Sequence, residues 1–310
     1  MTRHPNEIRC YNSRVSRALL CACGLAAVAL LSPAASSAYS WPVRPFYQPH
    51  AIRGYFNDPR LSGPETGFHF GVDIVAPDGT PVYAIEPGRA RVHGMTVSVF
   101  PRRGGHQLSY WHVIPMVRSK QLVRRHQLIG RVAPEAGHVH LAEYSEGTYV
   151  NPLRLGGLAP YIDDTAPRIP GITFSVFGYP VAPDTLAGPV DITVETYDTP
   201  PLPAPPADWA EARLAPALIR WRIVQGQNTL RPWATAVDFR TFLLPFSLFD
   251  FIYAPGTFQN RPNRPGHYAF YLAHEFDTRT LPNGAYVLQV ESLDAQENVG
   301  QASFPFTVVN

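Results

Sequence analysis

Five residues have types and spacings that could do chemistry. His138 and His140 flank Val139 in an H-x-H triplet, and in a strand, where side chains alternate, both imidazoles project from one face. Such a pair suits a tetrahedral metal, or one ligand beside a group that does not ligate. His69 and Asp73 end an H-x-x-x-D run. On a straight strand they would stand ~13 Å apart, too far to share an ion. Gly71 between them permits a bend that turns both inward. His112 follows Tyr110-Trp111. A His/Asp/His set of N and O donors with one open position is the chemistry of a catalytic zinc site.

Positioning such a set needs β-structure, and the chain supplies it. From Trp41 to about Pro160, β-prone runs alternate with turns: Pro81–Glu86, Arg89–Phe100, Gln107–Val113 and Gln127–Val132, punctuated by Gly71, Pro77-Asp78-Gly79, Pro87-Gly88 and Gly104-Gly105. No long stretch has helical periodicity. Residues 160–170 read as a polar, Pro-bearing linker. Beyond it, strands are expected at Ile172–Tyr179, Val190–Tyr197, Leu218–Gln225, Tyr268–Ala273, Ala285–Leu293 and Ala302–Val309, with clear alternation in VDITVETY. That succession predicts an Ig-like or fibronectin-like β-sandwich. Thr199–Ala207, rich in Pro, is expected to be an exposed loop.

The 310-residue composition agrees with an all-β chain: 33 Pro and 23 Gly favour short strands, while 45% apolar against 16% charged residues excludes long disorder. A formal net charge of +2 excludes a nucleic-acid footprint. Residues 1–38 read as a signal peptide. Arg3, Arg9, Arg14 and Arg17 precede an apolar run from Ala18 to Leu31, which is too short to span a ~30 Å bilayer, and small residues lead to cleavage after Ala38. An uncleaved anchor or a lipoprotein is the weaker reading. Cys10, Cys21 and Cys23 all lie in that segment, so the mature chain has neither disulfides nor Cys-ligated metal. Export to the periplasm or the exterior is the expectation, with no stable membrane span after cleavage.

Residues 50–155 resemble the lysostaphin/LytM-type zinc metalloendopeptidases that cleave peptidoglycan peptides. The resemblance rests on His69-Phe70-Gly71-Val72-Asp73, Tyr110-Trp111-His112-Val113 and His138-Val139-His140-Leu141-Ala142-Glu143, in that order. Asp73–Ala84, Gln127–Arg131 and Asn151-Pro152 also fit. The resemblance implies one Zn2+ per chain on His69, Asp73 and His140. His112 and His138 would line the cavity unligated, one as general base and one as oxyanion donor, in either assignment. Glu143, on the other strand face, is read as structural. The implied organisation is a zinc peptidase domain over 41–160 acting on stem peptides or cross-bridges of peptidoglycan. An accessory sandwich over 165–310 would be open to an envelope partner. A non-catalytic wall-binding module or amidase activator is the alternative, although such relatives typically lack a ligand. A Gly-rich protein substrate outside the wall is a further one. The family's Gly/Thr/Ser-rich loop before H-x-H is reduced here to Arg131–Gly137, and the Gly54–Arg60 segment matches the upstream Gly-rich region only loosely.

The other candidates have plainer readings. His274-Glu275 does not complete HExxH, His106 could face the side of His112, and Leu293–Asn298 (LDAQEN) is a structural turn in preference to an ion site.

Overall fold

The computed structural model describes residues 39–61, 67–102 and 104–310; the signal-peptide reading of 1–38 falls outside them. Among the described residues, helix is confined to Phe249–Ile252 and three short 3-10 turns, and strands carry the rest of the regular structure.

The N-terminal half is built on an eight-stranded antiparallel sheet. Its path runs Ile52–Gly54, Val72–Val75, His138–Ser145, Gln107–Trp111, Thr96–Pro101, Gly88–His93 and Leu122–Val123, with Thr148–Val150 beside His138–Ser145. A three-stranded sheet of Pro81–Tyr83, Leu128–Val132 and Val113–Pro115 lies in the same half. Alternation sets the faces. Val139 and Leu141 join the apolar cluster with Ile74, Val99, Leu108 and Tyr110, which leaves His138 and His140 for the opposite face. Fully burying each such apolar side chain stabilises by about 1.5–3 kcal/mol. The expected run Arg89–Phe100 is two strands joined at Gly94-Met95, and the run Gln107–Val113 is broken at His112.

The C-terminal half forms two four-stranded antiparallel sheets. One is Tyr179–Val181, Arg168–Val176, Pro189–Tyr197 and Ala269–Asp277; the other is Asn228–Asp238, Leu218–Gln225, Gly284–Leu293 and Val299–Val308. Both contribute to a single apolar cluster that includes Phe174, Ile192, Phe270, Trp221, Leu288 and Phe306. Asn228–Asp238 was not among the expected strands. It is an edge strand, mostly exposed, and it carries Pro232, a combination that erases the apolar alternation. No strand runs through Thr199–Ala207.

The halves share buried contacts, and the described residues belong to one compact unit. Leu214 and Ala217 belong to the N-terminal cluster and Phe68 to the C-terminal one. Asp58 Oδ1 accepts from the Ala215 N–H at 2.8 Å, and the Tyr253 hydroxyl donates to the Asn57 carbonyl at 2.8 Å. The 160–170 segment is tied down as well: Trp41 Nε1 donates to Pro160 O at 2.8 Å, and Tyr161 is buried.

Candidate metal centre

Sheet register brings the first pair together. Asp73 on Val72–Val75 is the cross-strand partner of His140, and His140 pairs on its other side with Trp111. His138, two residues earlier, shares the face of His140, and its Nε2 lies 3.5 Å from Asp73 Oδ1. His69 arrives from the bend between Gly67–Phe68 and Val72–Val75. That bend passes so closely over the neighbouring strand that a Cβ on Gly71 would meet the Leu141 carbonyl oxygen, and would lie 2.7 Å from His140 Nε2. The glycine is therefore needed for close approach as well as for bending.

Three donor atoms converge. His69 Nε2 lies 2.8 Å from His140 Nδ1 and 3.2 Å from Asp73 Oδ1, and His140 Nδ1 lies 3.1 Å from Asp73 Oδ1. Metal–ligand distances of ~2.0–2.1 Å imply a tetrahedral edge of roughly 3.3 Å, so these separations and this N/O/N chemistry fit zinc. All three residues are buried, whereas His112 and His138 are only partly so.

The surroundings orient the set. His69 Nδ1 lies 2.7 Å from the Tyr55 carbonyl oxygen; since that oxygen only accepts, Nδ1 carries the proton and Nε2 turns its lone pair inward. Burial, reinforced by Arg60, pushes the His69 imidazolium down toward the neutral form. Burial alone would push Asp73 up, but His69, Arg60 and His138 outweigh it and hold the carboxyl well below its usual range. Arg60 Nη2 donates to Asp73 Oδ2 at 2.6 Å, leaving Oδ1 for the two imidazoles. Gly54 makes room for that pair, because a Cβ there would lie 2.7 Å from Arg60 Nη2.

His138 is set by its neighbours Ala136 and Arg53. Its Nδ1 lies 2.6 Å from both the Ala136 carbonyl oxygen and Arg53 Nη2. Burial pushes its imidazolium down to about 4; Asp73 opposes that shift and Arg53 adds to it. His112 sits at the break between two strands with φ of 60°, in the left-handed region, and its ring centroid is 4.6 Å from that of His138. Phe70 and Trp111 wall the group, with ring centroids 4.6 and 6.2 Å from His140.

The structure thus brings all five sequence-selected residues into one place. Glu143 is elsewhere, buried and held by Arg154 through bonds of 2.7 and 2.8 Å. His106 is also apart, 2.8 Å from Glu86, and His274 packs against Phe251 and Tyr271. Arg53 and Arg60 are the contributors that the sequence reading missed. Arg60 closes the Gly54–Arg60 segment and Arg53 directly precedes it, but no local spacing ties either arginine to the histidines.

No protein-family model matches the chain, and no curated protein matches it. Solved structures similar to it include the catalytic domain of the antimicrobial peptidase lysostaphin from Staphylococcus simulans, at 28% identity over 32% of this chain and 87% of that one, TM-score 0.29. A zinc-containing peptidase from Vibrio cholerae is similar at 24% identity over 37% of this chain and 39% of that one, TM-score 0.31. The catalytic domain of a mutant of the prophage-encoded M23 protein EnpA from Enterococcus faecalis is similar at 24% identity over 37% and 98%, TM-score 0.28. Among the described residues, no helix is long and apolar enough to cross a membrane.

Proposed function

We propose that this chain is an exported, zinc-dependent metalloendopeptidase of the lysostaphin/LytM type that hydrolyses peptide bonds in the stem peptides or cross-bridges of peptidoglycan. The observation that carries this reading is the convergence of His69 Nε2, Asp73 Oδ1 and His140 Nδ1 within 3.2 Å of one another. These are the positions that the family resemblance assigns to the metal. A zinc ion held by these three residues would polarise the scissile carbonyl and lower the pKa of a water to ~7.

The chain's own residues do the rest. His69 and His140 are held rigidly by burial, and the Tyr55 carbonyl fixes the tautomer of His69. Arg60 keeps Asp73 ionised and occupies one of its oxygens. His138, neutral at physiological pH by virtue of burial and Arg53, and His112 beside it can divide the two remaining tasks. One takes the proton of the attacking water, and the other donates to the oxyanion of the tetrahedral intermediate. The Phe70 and Trp111 walls limit bulk water around the ligands.

The test is a digest of purified peptidoglycan, with and without a zinc chelator, read by mass spectrometry. New peptide termini should appear only in the chelator-free sample, and His140→Ala should reduce their release by on the order of 10³-fold with loss of bound zinc. Unchanged cleavage by His140→Ala removes the proposal. Stimulation of an amidase by a protein that releases no termini itself would favour the non-catalytic alternative.

A further inference from the structure

Three aspartates outside this centre meet in the interior. One carboxylate oxygen each of Asp163, Asp198 and Asp294 lies within 4.8 Å of the other two. The residues are only 8%, 4% and 3% exposed. They come from separate stretches: Asp163 from the segment joining the halves, Asp198 from the end of Pro189–Tyr197, and Asp294 from the end of Gly284–Leu293. Among the described residues, none of the three is ion-paired with an Arg, Lys or His.

Neutral donors satisfy part of the cluster. Asp163 Oδ1 accepts from the Thr165 N–H at 3.0 Å and hydroxyl at 2.8 Å. Asp198 Oδ1 accepts from the Thr199 N–H at 2.8 Å. Asp294 Oδ1 accepts from the N–H groups of Gln296 at 2.8 Å and Asn298 at 2.9 Å, and its Oδ2 accepts from Asn298 Nδ2 at 2.8 Å. Asp163 Oδ2 is buried with no hydrogen-bond partner. Buried carboxylates are ordinarily paired, protonated or bound to a metal. Here burial, together with Asp163 and Asp294, pushes the Asp198 carboxyl up to about 8.

We propose that Asp163, Asp198 and Asp294 bind one divalent cation of the calcium type, which fastens the segment joining the two halves to a strand end in each C-terminal sheet. The all-oxygen donor set selects a hard cation over zinc. Calcium takes 6–8 oxygens in irregular geometry, whereas magnesium demands a near-ideal octahedron and keeps its waters. Carboxylates gathered from three separate chain segments match the first description. Asn298 organises the edge of the site: its Nδ2 donates to the Asp163 carbonyl at 2.8 Å as well as to Asp294. The LDAQEN turn is therefore structural and also aims Asp294 inward. None of the three aspartates belongs to the His69/Asp73/His140 group, so this site stands apart from the peptidase reading.

The experiment is calorimetric titration of the zinc-loaded full chain with CaCl2, after dialysis into calcium-free buffer. One calcium should bind per chain beyond the zinc and raise the melting temperature by about 5 °C at saturation. Asp163→Asn and Asp198→Asn should each weaken calcium binding at least ~10-fold with zinc content unchanged. Amide exchange in the wild type should slow at 163–165, 198–199 and 294–298 on adding calcium. No binding by the wild type at about 10 mM calcium overturns the site, as does full calcium affinity in the Asp163→Asn/Asp198→Asn double variant. Calcium binding without slowed exchange in those segments, or binding of magnesium with calcium excluded, overturns the assignment too. The wild-type measurements need no variant, so a substitution that fails to fold does not shelter the proposal.

Discussion

Asp73 and the Asp163/Asp198/Asp294 cluster are buried to a similar degree, yet their charges are handled in opposite ways. Asp73 faces Arg60 at 2.6 Å and three imidazoles. Its carboxyl is held low, one oxygen is taken, and the oxygen that remains has nitrogen neighbours. Such a carboxylate can offer one bond to a borderline ion of low coordination number. Among the described residues, the three aspartates pair with no guanidinium and no imidazole, and Asp163 keeps a buried oxygen without a hydrogen-bond partner. They suit an ion that carries positive charge to them and accepts many oxygens. Equal burial thus gives two different sites; the cation already present in the protein decides which.

Three measurements can break or sharpen that contrast. His138→Ala and His112→Ala should each lower kcat for peptide release by about 10²–10⁴-fold while zinc content and calcium binding stay at wild-type levels. Loss of zinc in either variant would make that imidazole a ligand and undo the division between holders and reactors.

Acid titration of the metal-free protein is the second. The unfolded His138 imidazole takes a proton near its ordinary value of 6.5, but the folded one only at about 4. As pH falls through that window the unfolded state binds the extra proton, and stability should drop by up to about 3 kcal/mol. Asp73, whose folded pKa is depressed, gives stability above its ordinary carboxylate range that is lost at still lower pH. Asp198 runs the other way. With its folded pKa raised to about 8, its contribution is complete below the usual carboxylate pKa and is lost as pH rises toward 8. Between pH 4 and 6.5 the His138 and Asp198 slopes oppose each other, and Asp58, which burial pushes up to about 7, adds to the Asp198 decline. Urea unfolding in chelator should therefore show its clearest loss of stability between about pH 6.5 and 8, and calcium should lift that side. Stability that does not fall there, or a fall that calcium leaves unchanged, would contradict the charge assigned to Asp198.

Arg60→Met is the third. Removing the guanidinium from Asp73 Oδ2 should weaken zinc binding by about 10–100-fold, measured by competition with a chelating dye. Calcium binding should not change. Undiminished zinc affinity would show that the arginine is not what fits Asp73 to its task.

Much of the candidate site was legible because it obeys local rules. The period of a strand placed His138 and His140 on one face, and the glycine in HFGVD marked where the chain must bend. The all-β character followed from runs such as VDITVETY. What escaped detection is non-local or lacks pattern. Arg53 and Arg60 reach the centre only after sheets form, and nothing in their sequence neighbourhood couples them to residues 69–140. Asn228–Asp238 conceals its strand because an exposed edge tolerates Pro232 and needs no alternation. The break at His112 reflects a left-handed backbone that Gln107–Val113 does not advertise. Of the three clustered aspartates, only Asp294 sat in a recognisable turn, since Asp163 and Asp198 meet it only through tertiary folding.

Trp209 lies beneath the Arg53 guanidinium at 4.3 Å, and Asn260 Nδ2 donates to the Arg53 carbonyl at 3.4 Å. Arg53 in turn meets His138, so residues far beyond 165 help hold a side chain at the candidate metal centre. The part of the chain that carries the candidate metal centre is consequently not a portable cassette. A graft that ended before residue 165 would leave Arg53 unpinned, strip the buried partner from Asp58 and bare Phe68 to water. Any transplant onto a different C-terminal module would have to carry the Ala207–Trp209 turn and the stretch around Asn260 with it.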